Sequence, residues 1–297
     1  GYFDPKLGWG YGATLAEVAM RGHRGAPGLT AAQGRLWGHG RGVAVSINGE
    51  DLTLNFPALF TDTWPLSYLQ GQVKAWFRDG YFGLRGENLK GQIGESAVAG
   101  KFSLTRPTDL DEQRVALALW VDQADMQSVR SFIPYKIPPN FTQWLSYGPV
   151  EGNVGNARFA YQGQVRPVDE SNRHRRIELA AQITDGVVRF EPNWPLIEAL
   201  TGAFHVSGQD IQVTASQATS LGVQLADAVV VLHDNAAYAE VALSATGDSQ
   251  KFLDYVLQSP LQENLGFITP GWQGNGQLAL GGNLIVPIRR EDAPDLS

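Results

Sequence analysis

The sequence predicts a mainly β chain with short intervening helices, on three observations. Segments in which apolar and polar residues alternate recur along its whole length, the pattern of strands with one buried face. Between them fall many of the 34 glycines and 16 prolines, the residues that turns require. A unit headed by Trp-Pro-Leu occurs twice, at Trp64-Pro65-Leu66 and at Trp194-Pro195-Leu196, and such self-similarity marks an array of supersecondary units. Hydrophobic residues at 43% against 18% charged are enough to fill a core, which excludes wholesale disorder.

Ahead of the first anchor, Gly8-Trp9-Gly10-Tyr11-Gly12 reads as an N-terminal loop, and Leu29 to Trp37, Val43 to Ile47 and Leu52 to Leu54 read as strands. After Trp64 come strands at Val73 to Arg78, Tyr81 to Arg85, Ser96 to Leu104 and Arg114 to Asp122. Met126, Val129, Phe132 and Ile133 then stand at helical spacing before Pro134 and predict a short helix. Gly152-Asn153-Val154-Gly155 re-enters a long strand through Phe159, Tyr161, Gly163 and Val165. Turn-forming or charged stretches at Thr105 to Glu112, Pro134 to Asn140 and Pro167 to Arg176 read as loops.

The second copy follows the same order. Ile177 to Ala181 and Val187 to Phe190 precede Trp194, and Ala203 to Val206, Ile211 to Ser216, Gly222 to Leu232 and Ala239 to Ala245 follow it. Phe252, Leu253, Val256 and Leu257 predict a helix before Pro260, and Gly274-Asn275-Gly276 leads into Leu278, Leu280, Leu284, Val286 and Ile288. This division gives a partial repeat at 1–63, a repeat at 64–193 and another at 194–297, in one continuous array cut from a longer protein.

Several function classes are disfavoured. A net charge of -7 has the wrong sign for neutralising phosphates, so nucleic acid is not an expected partner. Without cysteine there are no disulfides or thiolate metal sites. The longest apolar run, Val229-Val230-Val231-Leu232, suits a strand and falls far short of the roughly 18–20 residues that cross a bilayer. The chain opens on Gly1 with no leader, so any targeting or anchoring segment is expected upstream.

No constellation of catalytic residues emerges. His23, His39, His174, His205 and His233 lack ligand spacing, although His23 and His39 share a Gly- and Arg-rich context. Gly94 to Lys101 has the wrong spacing for a phosphate loop, and Phe102 stands where Ser or Thr is needed. Asp109, Asp111 and Glu112 form a solvated turn rather than an opposed acid pair, and Arg173-His174-Arg175-Arg176 reads as a solvated basic loop. Asn140-Phe141-Thr142 matches a glycosylation sequon without further support. Trp64 and Trp194 read as structural anchors. The expectation is a protein that is not an enzyme and takes no cofactor or metal. The alternation by itself fits a closed β-sandwich or barrel, or a carbohydrate-binding β protein, as well as an open sheet.

Phe56-Pro57 with Trp64-Pro65-Leu66, Trp194-Pro195-Leu196 with Gly202, and the tail from Ser259-Pro260-Leu261 through Gly276-Gln277-Leu278-Ala279-Leu280 to Val286-Pro287-Ile288 resemble the AsmA-like envelope proteins of Gram-negative bacteria, in their YhdP branch. The resemblance covers the chain from about Leu29 onward. It implies an elongated, curved antiparallel sheet, a repeating β-groove in the periplasmic part of an inner-membrane-anchored protein. It further implies non-catalytic carriage of phospholipid acyl chains between inner and outer membrane, with protein partners at the ends of the groove unidentified. On one register of the strands, the candidate groove residues are Val73, Ala75, Phe77, Phe102, Leu104, Val115, Leu117, Leu119, Phe159, Tyr161, Ile211, Val213, Val229, Val231, Leu278, Leu280, Leu284 and Val286.

Overall fold

In the computed structural model, the structure describes residues 1–4, 8–22, 27–57, 60–78, 80–107, 114–128, 132, 139–164, 175–233 and 238–287. The first strands are β1 (Tyr2–Asp4), β2 (Gly8–Met20), β3 (Gly28–His39), β4 (Gly42–Asn55), β5 (Thr63–Arg78), β6 (Tyr81–Ile93), β7 (Ser96–Pro107) and β8 (Arg114–Asp125). Helix α1 (Pro139–Tyr147) precedes β9 (Pro149–Gln164), β10 (Arg176–Val188), β11 (Ile197–Ser207), β12 (Asp210–Ser220), β13 (Val223–Leu232) and β14 (Tyr238–Asp248). Helices α2 (Ser249–Leu257) and α3 (Leu261–Asn264) lead to β15 (Gln277–Pro287).

Strand order follows chain order from β1 to β15 with no crossover. Neighbours pair antiparallel from β1 to β8 and again from β11 to β15. The order has two ends, so the described strands form one open sheet, and neither stacked sheets nor a closed barrel. By contacts the chain forms two compact units. Unit 1 comprises Gly1–Ala124, Ser128–Ile137 and Asn156–Leu179; unit 2 comprises Asp125–Gln127, Pro138–Gly155 and Ala180–Ser297.

Within the units the strands are bent by bulges. Register slips between Leu15 and Val18 in β2, Thr30 and Gly34 in β3, and Gly86 and Leu89 in β6. In unit 2 it slips between Glu198 and Thr201 in β11 and between Ala226 and Val229 in β13. Several of the extra residues stand in the left-handed region: Glu17, Ala31, Asn88, Ala199 and Asp227 all have φ between 48° and 55°. An extra residue bends its strand, strengthens the local twist and moves the following side chains to the other face. That is how β6 keeps one apolar face. Leu84 and Gly86 lie opposite Leu104 and Phe102, and beyond the bulge Leu89, an odd step away, lies opposite Gly100 on the same side.

Two elements differ from the sequence reading. The segment Gly8 to Gly12, expected as a loop, begins β2: Gly10 pairs with Tyr2 and His39, and Gly12 with Trp37. Gly10 suits this strand because a side chain there would collide with the Tyr2 ring. In the first copy the helix lies downstream of the expected Met126–Ile133 segment. There, Met126 is in a turn and Phe132 in a short 3₁₀ segment, while Val129 and Ile133 fall outside the described residues. Helix α1 opens at Pro139, inside the stretch read as a loop, because proline's fixed φ favours the first helical position, where no N–H bond is lost. The helix expected before Pro260 is α2, capped by the Asp248 carboxylate, which accepts from the Gln250 N–H at 2.8 Å.

Candidate functional site

In unit 1, paired registers define two apolar rows on one face of the sheet. Val45 lies opposite Val73, Val73 opposite Gly86, Gly86 opposite Phe102, and Phe102 opposite Leu117. Beside it run Val43, Ala75, Leu84, Leu104 and Val115. Gly86 makes room for the Phe102 ring, which a side chain there would strike. The opposite face carries Lys74, Arg85 and Lys101. Glu87 bridges Lys74 at 3.4 Å and Arg85 at 2.9 Å, and Lys101 lies over the Trp120 ring at 5.7 Å. One face is therefore apolar and the other charged, as alternation requires. Val73, Ala75, Phe77, Phe102, Leu104, Val115, Leu117 and Leu119 all fall on the apolar face.

Much of that face is covered. Phe102, Leu104, Val115 and Leu117 are buried, as are Phe159 and Tyr161 of β9, whereas Val73 and Ala75 are half-buried and Phe77 is exposed. Phe56 and Phe60, which lie between β4 and β5, supply part of the cover, against Phe102 and Phe159 respectively. Phe60 donates its N–H to the Phe56 carbonyl at 2.9 Å, closing a turn that carries both rings. Phe60 packs against Trp64 with ring centroids 4.6 Å apart and against Phe159 at 6.1 Å; Phe56 meets Phe102 at 5.8 Å. Phe132 closes on Trp64 at 5.5 Å. Phe60, at 2% exposure, is among the most completely buried large side chains.

Unit 2 repeats the arrangement on a smaller scale. Trp194 has Phe190 four residues ahead of it, at 6.1 Å, as Trp64 has Phe60, and Tyr255 of α2 lies at 6.4 Å. The repeated signature is thus Phe-x-x-x-Trp-Pro-Leu, a longer match than Trp-Pro-Leu, and its phenylalanine was missed from sequence although both copies carry it. Burial raises the Tyr255 phenol above its ordinary pKa. Beneath α1, the Trp144 indole N–H donates to the Arg189 carbonyl at 3.0 Å and Tyr147 donates to Glu191 at 3.3 Å. Burial first, and then the Glu191 charge, push the Tyr147 phenol up to about 12, and burial also raises the Glu191 carboxyl.

Farther along unit 2 the apolar face is buried or half-buried from β11 to β14 and becomes exposed on β15. One row runs Phe204, Val213, Val230, Val241 and Leu284, and another runs Ala218, Leu225, Ala245 and Leu280. Ile211, Val213, Leu278, Leu280, Leu284 and Val286 of the candidate set belong to this face. Val229 and Val231 do not. They lie opposite Thr214 and Gln212 on one side and Ala242 and Glu240 on the other, so Val230 and Leu232 take the apolar positions. The bulge at Asp227, with φ 50°, shifts the parity counted from Leu225. Leu278 is 36%, Leu280 51% and Leu284 40% exposed. Phe267 and Trp272, stacked edge-on at 6.0 Å in the connection to β15, are exposed too. From Asn264 to Ile288 the sequence has no Asp, Glu, Lys, Arg or His, a signal that composition alone carries.

Elsewhere the described residues offer little chemistry. The Tyr2 hydroxyl hydrogen-bonds His39, His233 stands 3.5 Å from Asp210 and His205 is exposed. His23, His174, Asp109, Asp111 and Glu112 lie outside the described residues, as do Val165 and Arg173. Among the described residues, no group of three or more His, Cys, Asp or Glu is placed to hold a metal, and no helix is long and apolar enough to cross a membrane. Compared with known families, residues 3–297 match the model described as YhdP protein. No curated protein and no solved structure gives a significant match.

Proposed function

Because the chain belongs to the YhdP protein family, we propose that it carries phospholipid acyl chains along the apolar face of its open sheet, without catalysis. The observation that carries this reading is the apolar row on β15, where Leu278, Leu280 and Leu284 stand exposed in a stretch free of charge. Soluble proteins rarely leave such a continuous apolar surface unless something covers it. An acyl chain laid on it gains about 0.8 kcal/mol per methylene removed from water, with no specific contact needed. The polar headgroup stays in solvent, so the surface accepts many lipids. On this reading the chain belongs to the periplasmic part of an inner-membrane-anchored envelope protein and works between inner and outer membrane.

Native mass spectrometry of the purified chain tests it. Phospholipid is expected to co-purify after gentle extraction, and Leu280→Asp, which puts a charge on the exposed face, is expected to fold normally and lose most of that lipid. A folded wild-type chain that stays lipid-free when incubated with phospholipid vesicles sinks the proposal.

A further inference from the structure

We propose that the charged face of unit 1 carries a binding site for an acidic polysaccharide, centred on Trp76. On that face Trp76 of β5 lies opposite Gly42 on one side and Gly83 on the other. A side chain at Gly83 would strike Cε2, Cζ2 and Nε1 of the indole, Cε2 first. Cε2 sits between the other two and behind them in the ring outline, so a ring standing on edge would offer its neighbours first. The indole therefore lies face-down over Gly83, and its other face points away from the sheet. Gly83 beneath it is buried, while Trp76 itself is only half-buried. This face is opposite the apolar rows, so the site does not rest on the lipid-carrying reading.

Cations frame the platform. Lys74 and Arg78 stand two residues to either side of Trp76, about 7 Å along β5; Arg85 lies opposite Lys74, and Tyr81 opposite Arg78. All four are exposed. Glu87 bridges Lys74 and Arg85 and offsets part of the charge at one end, whereas Arg78 at the other end is opposite a tyrosine. This local excess of positive charge occurs in a chain of net charge -7. A flat apolar platform rimmed by cations fits a ring that is apolar on its face and charged at its edge, such as a sugar bearing a carboxylate. The C–H groups on the face of a pyranose are drawn to the negative face of an indole, and Arg and Lys hold the carboxylate by charge-assisted hydrogen bonds. Trp37 and Trp120, 40% and 38% exposed, stand on the same face. They lie two strands before Trp76 and three strands after it, about 10 and 14 Å of sheet away. One sugar does not reach all three rings, but a chain of sugars does.

Calorimetric titration of the whole chain with a galacturonic-acid oligomer, a neutral galactose oligomer of the same length and a single-stranded DNA oligomer tests the site. The acidic oligomer is expected to bind about tenfold more tightly than the neutral one, and more tightly than the DNA. Trp76→Ala should weaken both sugar oligomers about tenfold. Arg78→Gln, an exposed change that serves if the alanine variant fails to fold, should weaken the acidic oligomer about tenfold and leave the neutral one nearly unchanged. Leu280→Asp should leave sugar binding as it is. A folded wild-type chain that does not bind the acidic oligomer overturns the site, as does unchanged binding in the folded Trp76 or Arg78 variant. Equal affinity for the DNA also overturns it, because a patch of positive charge without a sugar platform behaves that way.

Discussion

The apolar faces of unit 1 and unit 2 follow the same pattern of alternating strands, bulges and a Trp anchor, yet Leu104 and Leu117 are 2% and 4% exposed whereas Leu280 and Leu284 are 51% and 40% exposed. Part of this difference is position: β7 and β8 have paired strands on both sides, whereas β15 ends the strand order beside β14. Unit 1 also groups Phe56, Phe60, Trp64 and Phe132, and unit 2 groups Phe190, Trp194 and Tyr255 around its anchor. Alternation decides which residues share a face. What packs against that face, and where its strand stands in the sheet, decide whether it becomes core or surface.

The largest expected effect breaks the comparison directly. Leu117→Asp puts a carboxylate into a buried apolar site, a change that costs several kcal/mol and unfolds marginal domains. Leu280→Asp exposes the same group to water and is expected to change stability by less than about 0.5 kcal/mol. Urea melts of the two variants check this, and similar midpoints would show that the two faces are not differently covered.

The difference was only partly legible in the sequence. Period-two alternation placed Val73, Ala75, Phe102, Leu104, Val115 and Leu117 on one face because no bulge interrupts the positions used. The same counting put Val229 and Val231 on the wrong side of the row through Leu284, since an unbroken run of four apolar residues carries no parity and the bulge at Asp227 is set by backbone conformation. The Phe60 cover was not legible, because it arises from a loop meeting strands distant in sequence. Two signals were present and unused: the phenylalanine four residues before each Trp-Pro-Leu, and the charge-free stretch from Asn264 to Ile288.

The two anchors sharpen the comparison at a smaller scale. Trp64 is buried at 5% exposure among Phe56, Phe60 and Phe132, and truncating such a ring costs about 3–5 kcal/mol. Trp194 is half-buried and touches Phe190 and Tyr255, so Trp194→Ala is expected to cost about half as much. Chemical denaturation of Trp64→Ala and Trp194→Ala reads the order. If the Trp194 variant is the less stable, the second anchor holds more structure than its ring contacts show.

The smallest effect belongs to unit 2 and is read as a slope with pH. The Tyr147 phenol is held up to about 12 in the folded chain against an ordinary value of 10.0. Between these values the unfolded chain has released the proton and the folded chain still holds it, so stability falls as pH rises from about 10 towards 12. Burial of the phenol is the main cause, and the Glu191 carboxylate beside it opposes the phenolate as well. Tyr147→Phe removes the titrating group and keeps the ring. The gap in urea midpoint between wild type and Tyr147→Phe should therefore shift against the wild type over that range, with the background titration of the other tyrosines and lysines cancelling in the difference. A gap that stays level across it would mean that α1 does not hold Tyr147 against Glu191 in solution.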